Sequence, residues 1–137
     1  MPTVEIATGE VIVLSDRPEV MSLIDKTIDA KQANCVEALE YLVVEGNHPV
    51  VVIDEKAYRG CDVEALILDL SEFSNDRVGG IVMLAEDDYP DREKVRVAGV
   101  NRFVSYDHAL TDLEQKIGEA RAERWRERDM RRGGLTF

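Results

Sequence analysis

Three short runs of apolar residues mark the first two thirds of the chain, at residues 11–14, 50–53 and 81–84. Each run is about four residues long, is rich in β-branched side chains and lacks polar alternation. This pattern is typical of strands that are covered on both faces in a parallel sheet. A weaker run at 102–105 predicts a further strand, and residues 29–33 leave room for an edge or irregular strand after the first run.

Segments with helical spacing separate these strands. Apolar residues recur at intervals of three and four in four such segments, around residues 20–28, 36–43, 66–73 and 95–98. Pro18 lies in the first turn of the first helix, with Ser15 or Asp16 as its N-cap. Strands that alternate with helices imply right-handed crossovers and helices on both faces of the sheet. The sequence therefore predicts an α/β fold, a doubly wound five-stranded parallel sheet, with residues 4–7 as a short extra strand or a frayed end.

The last predicted helix is unusually long. It begins at a Thr111–Glu114 capping box, and its apolar stripe contains Leu113, Ile117 and Ala120. Good helix formers then continue to about Met130, before Gly133 and Gly134 end the helix. We therefore divide the chain into a domain at 1–122 and an arginine-rich helical extension and tail at 123–137.

Composition and charge narrow the class of protein. A chain of 137 residues that is 45% hydrophobic and 33% charged fits one globular domain. The formal net charge of -11 argues against nucleic acid or an anionic bilayer as the partner. No apolar run approaches the ~18–20 residues that a membrane span needs, so we expect no membrane insertion and a cytoplasmic location. Cys35 and Cys61 are expected to be reduced thiols.

Acidic residues follow several of the predicted strands. Ser15 and Asp16 follow the first apolar run, Asp54 follows the run at 50–53, and Glu86 lies just after the run at 81–84. The carboxyl ends of parallel strands meet at one edge of a sheet, which is where such folds place their sites. Because clustered carboxylates repel, this edge is predicted to bind a hard cation or to have raised carboxyl pKa values.

Three segments give the chain a resemblance to a known family. They are Val-Ile-Val-Leu-Ser-Asp-Arg-Pro at 11–18, His-Pro-Val-Val-Val-Ile-Asp at 48–54 and Ala-Gly-Val-Asn-Arg-Phe-Val at 98–104. In this order they resemble the first strand and acidic turn, the phospho-acceptor strand, and the approach to the fifth strand of the receiver domain of bacterial response regulators. The resemblance covers nearly residues 10 to 122 and implies the flavodoxin-like fold already predicted.

The resemblance matches the family's phosphorylation residues only in part. Asp54 matches the phospho-acceptor, and Asp16 matches one of two acids that hold Mg²⁺ in the family. Ser15 replaces the other acid, Ala85 stands where a hydroxyl residue belongs, and Tyr106 stands where the family has lysine. The chain thus resembles the atypical or pseudo-receiver subgroup.

These losses predict impaired phosphorylation chemistry. Transfer of a phosphoryl group to a carboxylate needs Mg²⁺ and fixed positive charge to balance the charge on the phosphoryl oxygens. We expect too little positive charge near Asp54, and interpret Asp54 as a solvated carboxylate at a strand end. The alternative is a phospho-accepting receiver in which Asp16, Asp54 and the Lys56 carbonyl hold Mg²⁺. A third hypothesis is small-molecule binding at the strand edge, although no glycine-rich phosphate loop follows a strand.

The leading hypothesis is a signalling domain that acts by binding a protein partner, without enzymatic activity and without a required cofactor. The resemblance implies contacts through the face of the fourth helix, fifth strand and fifth helix, and the arginine-rich extension offers a second surface. Predicted interaction residues are Phe103, Tyr106, Arg121, Arg124, Trp125 and Arg128. The extension is either a solvated helix or a helix that docks on an acidic surface of another copy or partner. The sequence is compatible with a homodimer. It is also compatible with a chain that forms the N-terminal part of a longer protein.

Overall fold

A computed structural model describes residues 10–58, 63–70 and 77–134, with side chains up to residue 126. Five strands form one parallel sheet in the order β2-β1-β3-β4-β5. The strands are β1 (Val11–Leu14), β2 (Lys31–Ala33), β3 (Val50–Asp54), β4 (Gly80–Ala85) and β5 (Arg102–Ser105). The predicted five-stranded parallel sheet is therefore confirmed.

Helices alternate with the strands, as the spacing of apolar residues predicts. They are α1 (Pro18–Asp25), α2 (Val36–Glu45), α3 (Val63–Leu68), α4 (Arg92–Ala98) and α5 (Ala109–Gly134). Two short 3₁₀ turns follow β3 and β5, at Glu55–Tyr58 and Tyr106–His108. In the parts of the chain that the structure describes, no helix is both long and apolar enough to cross a membrane.

The core has two layers, one on each side of the sheet. Every residue of β1, β3 and β4 is buried, because helices cover both faces of these central strands. One buried cluster joins alternate strand residues to α2, α3 and α4, including Leu39, Ile67 and Val95. The other joins the remaining strand residues to α1 and α5. Each large apolar side chain buried in these layers contributes about 1.5–3 kcal/mol to folding.

The strand register brings the loops that follow β1, β3, β4 and β5 to one edge of the sheet. Leu14 lies beside Ile53 and Asp54 beside Leu84, while Ala85 lies beside Ser105. The residues that follow these strands are therefore neighbours, as expected for parallel strands. The candidate site lies at this edge.

Some local predictions differ from the structure. Arg17 occupies the N-cap position of α1, and the Ser15 side chain bonds to Asp54 instead of capping the helix. α5 begins at Ala109, before the predicted capping box, because the 3₁₀ turn after β5 leads directly into it. The predicted strand at 4–7, together with Phe73 and Cys61, lies outside the described residues.

α5 continues without a break through the predicted boundary between residues 122 and 123. Arg124 is 3% exposed, and Glu123 accepts hydrogen bonds from Asn101 and Arg102. Arg121 donates to the backbone carbonyls of His48 and Glu10. The helix thus still contacts the domain beyond residue 122.

Two of the predicted interaction residues therefore belong to the domain's own packing. The Arg121 guanidinium lies against the start of β1 and β3, and Arg124 is buried, so both side chains pack on their own domain, and their role in binding a partner stays a prediction. The reason is that α5 stays close to the sheet for longer than its charged sequence suggests. Trp125 is 61% exposed, in keeping with a surface role, and the side chain of Arg128 lies outside the described residues.

Candidate functional site

Asp54 is a fully buried carboxylate at the end of β3. Its exposed fraction is 0%, because the strand that carries it is covered on both faces up to this last residue. The prediction of a solvated carboxylate at this position is therefore wrong. A buried carboxylate needs hydrogen bonds and a compensating charge to remain ionised.

Three side chains supply four hydrogen bonds to the two oxygens of Asp54. Arg17 binds in a bidentate manner, with Nε at 2.8 Å from Oδ2 and Nη2 at 2.9 Å from Oδ1. Ser15 Oγ donates to Oδ2 at 2.7 Å, and the Tyr106 hydroxyl donates to Oδ1. A carboxylate offers about four lone-pair positions, so these donors fill the acceptor capacity of Asp54. We call Ser15, Arg17, Asp54 and Tyr106 the Asp54 cluster.

The donors are themselves held in place by backbone contacts. The Ser15 N–H donates to the Ala33 carbonyl at 3.0 Å, which ties this residue to the end of β2. Gln32 Nε2 donates to the Ser15 carbonyl at 2.9 Å, and the Arg17 N–H donates to Ser15 Oγ at 3.1 Å. The turn between β1 and α1 is thus fixed where two of its residues reach Asp54.

The charge on Asp54 is stabilised by its partners. Burial alone raises the pKa of this carboxyl, but the hydrogen bonds from Arg17, Tyr106 and Ser15 outweigh burial and hold the pKa below its ordinary value. The hydrogen bond to Asp54 in turn raises the pKa of Arg17. Burial, followed by the hydrogen bond to Asp54, raises the pKa of Tyr106. The prediction of too little positive charge near Asp54 is therefore wrong, and Asp54 does not show the raised carboxyl pKa that was one of two alternatives predicted for this edge.

Lys56 and Glu86 extend the cluster to the loop after β4. The Lys56 ammonium pairs with the Glu86 carboxylate and lies 4.9 Å from the centre of the Tyr106 ring. The Arg17 guanidinium lies 5.5 Å from the same ring, and the Lys56 N–H donates to the Tyr106 hydroxyl at 3.2 Å. Two cations and a backbone donor therefore hold the aromatic side chain over Asp54.

The arrangement does not fit a magnesium ion. Mg²⁺ is bound through carboxylate oxygens and water, whereas protein donors already occupy both oxygens of Asp54. Asp16 is exposed. Glu86, another acid at this edge, already pairs with the Lys56 ammonium. Within the described ranges, no group of three acidic, histidine or cysteine side chains could hold a metal ion. The predicted Mg²⁺ set of Asp16, Asp54 and the Lys56 carbonyl stays a prediction.

Phe103, predicted as an interaction residue, is partly buried on β5 and packs against the core cluster under α4. The Arg92 guanidinium lies 4.7 Å from the centre of its ring. Ala85, the last residue of β4, is fully buried and contributes no hydroxyl to the edge. The structure thus joins Tyr106 to Asp54, while Phe103 packs against the core layer on the opposite face of the sheet from Tyr106.

Arg17 is the one residue of the Asp54 cluster that sequence reasoning missed. It occupies the turn after β1, on the same edge of the sheet as the carboxylate. The available signal was a basic residue directly after Ser15 and Asp16, in the turn that the fold places beside Asp54. It was missed because the family pattern directs attention to the two acids expected before it.

The sheet order and the helices on both faces give the chain the receiver-type α/β fold. Among solved structures the chain is similar to NtrX from Brucella abortus, with 14% sequence identity and a TM-score of 0.67. The match covers 88% of this chain and 28% of the NtrX chain, and at this identity it shows the shared fold alone. No family model and no curated protein matches the sequence.

Proposed function

We propose that this chain is an atypical receiver-like signalling domain that acts by binding a protein partner. In this proposal Asp54 organises the edge of the sheet and does not serve as a phosphate acceptor. The receiver-type fold and the position of Asp54 at the end of β3 support the first part. The filled acceptor positions of Asp54 support the second part.

The chemistry of phosphoryl transfer explains why a filled carboxylate is a poor acceptor. The attacking oxygen must present a lone pair to phosphorus, and a cation must neutralise the oxygens of the phosphoryl group. At Asp54, each oxygen already accepts two hydrogen bonds, and the charge of Arg17 is committed to the carboxylate. An attack would require at least one of these bonds to break inside a buried site, which raises the barrier.

One observation favours a second candidate function, that of a phospho-accepting receiver. The Arg17 side chain is 27% exposed, and it lines an open cleft of about 620 Å³ together with Lys56 and Tyr106. Arg17 therefore has space to turn away from Asp54. In that event the carboxylate would lose its bidentate partner and regain free acceptor positions.

Intact-mass analysis after incubation with a small phosphodonor and Mg²⁺ separates the two candidates. The proposal predicts no phosphoryl adduct on the native chain, with Asp54→Asn as the acceptor-free control. Asp16→Asn is the matched control for an exposed acid at the same edge. An adduct on the native chain that disappears in Asp54→Asn would establish the second candidate and refute the proposal.

A further inference from the structure

The exposed surface of α2 combines apolar and acidic side chains. Tyr41 is 65% exposed and Val44 is 58% exposed, and their spacing of three residues places them side by side on the helix. Glu37, Glu40 and Glu45 are also exposed and surround this pair. We call these five residues the acidic face of α2. Exposed aromatic and aliphatic side chains within a charged border are a common pattern at protein interfaces.

The acidic face of α2 has little positive charge of its own. The sequence contains no lysine or arginine between Lys31 and Lys56, an interval that includes the whole helix. Lys31 pairs with Glu10, and Lys56 pairs with Glu86 at the opposite edge of the sheet. Among the described residues none forms a salt bridge with Glu37, Glu40 or Glu45, which leaves these three glutamates to a basic partner surface.

The far end of α5 has the complementary character. Residues 125–132 contain four arginines and two acidic residues, in a chain whose net charge is -11. We call this segment the basic end of α5. The helix continues for ten residues after Arg124, which is about 15 Å at 1.5 Å per residue. Trp125 is 61% exposed at the beginning of the segment, and Arg126 is also exposed.

We propose that the basic end of α5 in one copy docks on the acidic face of α2 in a second copy. Within one copy, α2 packs on one side of the sheet and α5 on the other. The contact is therefore expected between molecules. This inference names a partner, a second copy of the chain, for the interaction role in the proposed function. It depends on that role but not on the chemistry of Asp54.

Complementary charge on the two surfaces identifies the second copy as the occupant. Opposite patches steer association and fix its register. Trp125 would supply the aromatic anchor at the centre of the contact, in the way that tryptophan dominates many interfaces. Because exposed charges are screened within about 8 Å at physiological salt, the association is expected to weaken as salt rises.

Sedimentation velocity over a range of protein concentrations tests the contact. The native chain is expected to associate, and NaCl should raise the dissociation constant. Trp125→Ala should weaken association by about 30-fold, the usual effect of removing an anchor residue. Tyr41→Lys should also weaken association, while Leu110→Lys changes a residue that is 49% exposed elsewhere on α5 and should leave association unchanged.

Mixing two defective variants distinguishes this contact from a contact between like surfaces. Tyr41→Lys disrupts only the acidic face of α2, and Trp125→Glu disrupts only the basic end of α5. Each variant alone is expected to be monomeric, while an equimolar mixture should form a one-to-one complex because one intact surface of each kind remains. Circular dichroism confirms that each variant is folded.

Three results would overturn the inference. They are a native chain that stays monomeric throughout, a Tyr41→Lys variant that associates like the native chain, and a mixture that stays monomeric. If the native chain stays monomeric, a basic helix from another protein is the better candidate to bind the acidic face of α2. These outcomes are independent of phosphoryl uptake at Asp54, so the failure of either proposal can be told from the failure of the other.

Discussion

Removal of Arg17 is the most informative perturbation of the Asp54 cluster. Asp54 is 0% exposed in the native chain, and Arg17→Ala removes both guanidinium bonds to it, at 2.8 and 2.9 Å. Two opposite charges about 4 Å apart attract by roughly 4 kcal/mol at an effective dielectric constant of 20. Loss of one partner from a buried pair costs about 3–5 kcal/mol, and the partial exposure of Arg17 favours the lower end. We expect a loss of about 3 kcal/mol at pH 7.

The loss should depend on pH. In the native chain the pKa of Asp54 is lowered, so its contribution to stability is present above the unfolded pKa of about 3.9 and disappears as pH falls through the folded pKa. Without Arg17, burial dominates and the pKa of Asp54 should rise. The difference in stability between native protein and Arg17→Ala should therefore be largest at neutral pH, shrink as pH falls toward 4 and disappear as pH falls through the lowered pKa of native Asp54.

Urea denaturation at pH 4 and pH 7 measures the free energy of unfolding of each variant. The variants are Arg17→Ala, Asp54→Asn and the double variant. Asp54→Asn should cost less than Arg17→Ala, because it removes the buried charge and leaves Arg17 able to reach solvent. The double variant should resemble Asp54→Asn. An equal loss for Arg17→Ala at both pH values, or a larger loss for Asp54→Asn, would refute the reasoning.

Substitutions at Tyr106, Gly79 and Arg102 test three further contacts. Tyr106→Phe removes one donor to Asp54 and should cost about 1–3 kcal/mol in urea denaturation. Because the pKa of Tyr106 is raised, native stability should fall above about pH 10. The fall should be smaller in Tyr106→Phe but not absent, because the pKa of Tyr89 is also raised, and an equal fall in the variant would contradict the assignment. Gly79→Ala should lower the melting temperature by several degrees, since its Cβ would lie 2.1 Å from the His48 carbonyl oxygen, and an unchanged melting temperature would count against this packing. Arg102→Ala breaks partly exposed ion pairs with Glu119 and Glu123 and should lower the free energy of unfolding by about 1 kcal/mol or less. A loss as large as that of Arg17→Ala would show that the exposure of an ion pair does not determine how much it stabilises the fold.

The sheet and most helices were predictable because burial on both faces leaves a strong signal in the sequence. β1, β3 and β4 are wholly apolar apart from their ends, and the helices between them bury one stripe each. β2 was uncertain because an edge strand has one neighbour and keeps polar residues such as Lys31 and Gln32, both exposed. Helix starts were the least predictable, since the side chain of Ser15 had two competing partners.

The site was predictable in position but not in electrostatics. Parallel strands bring Asp54, Tyr106 and the turn after β1 to one edge of the sheet, and this placement does not depend on side-chain conformation. Whether Arg17 points to solvent or to a buried carboxylate depends on side-chain directions that spacing does not specify. The same holds for Arg121 and Arg124, whose charges suggested a surface role although their side chains pack against the domain.

The carboxyl carbon of Asp54, followed by ¹³C NMR through an acid titration, tests the central claim most directly. A carboxylate with all acceptor positions filled should titrate below the ordinary value of about 3.9, and millimolar Mg²⁺ should not move its signal. A titration above that value, or a shift of the signal on addition of Mg²⁺, would contradict the account.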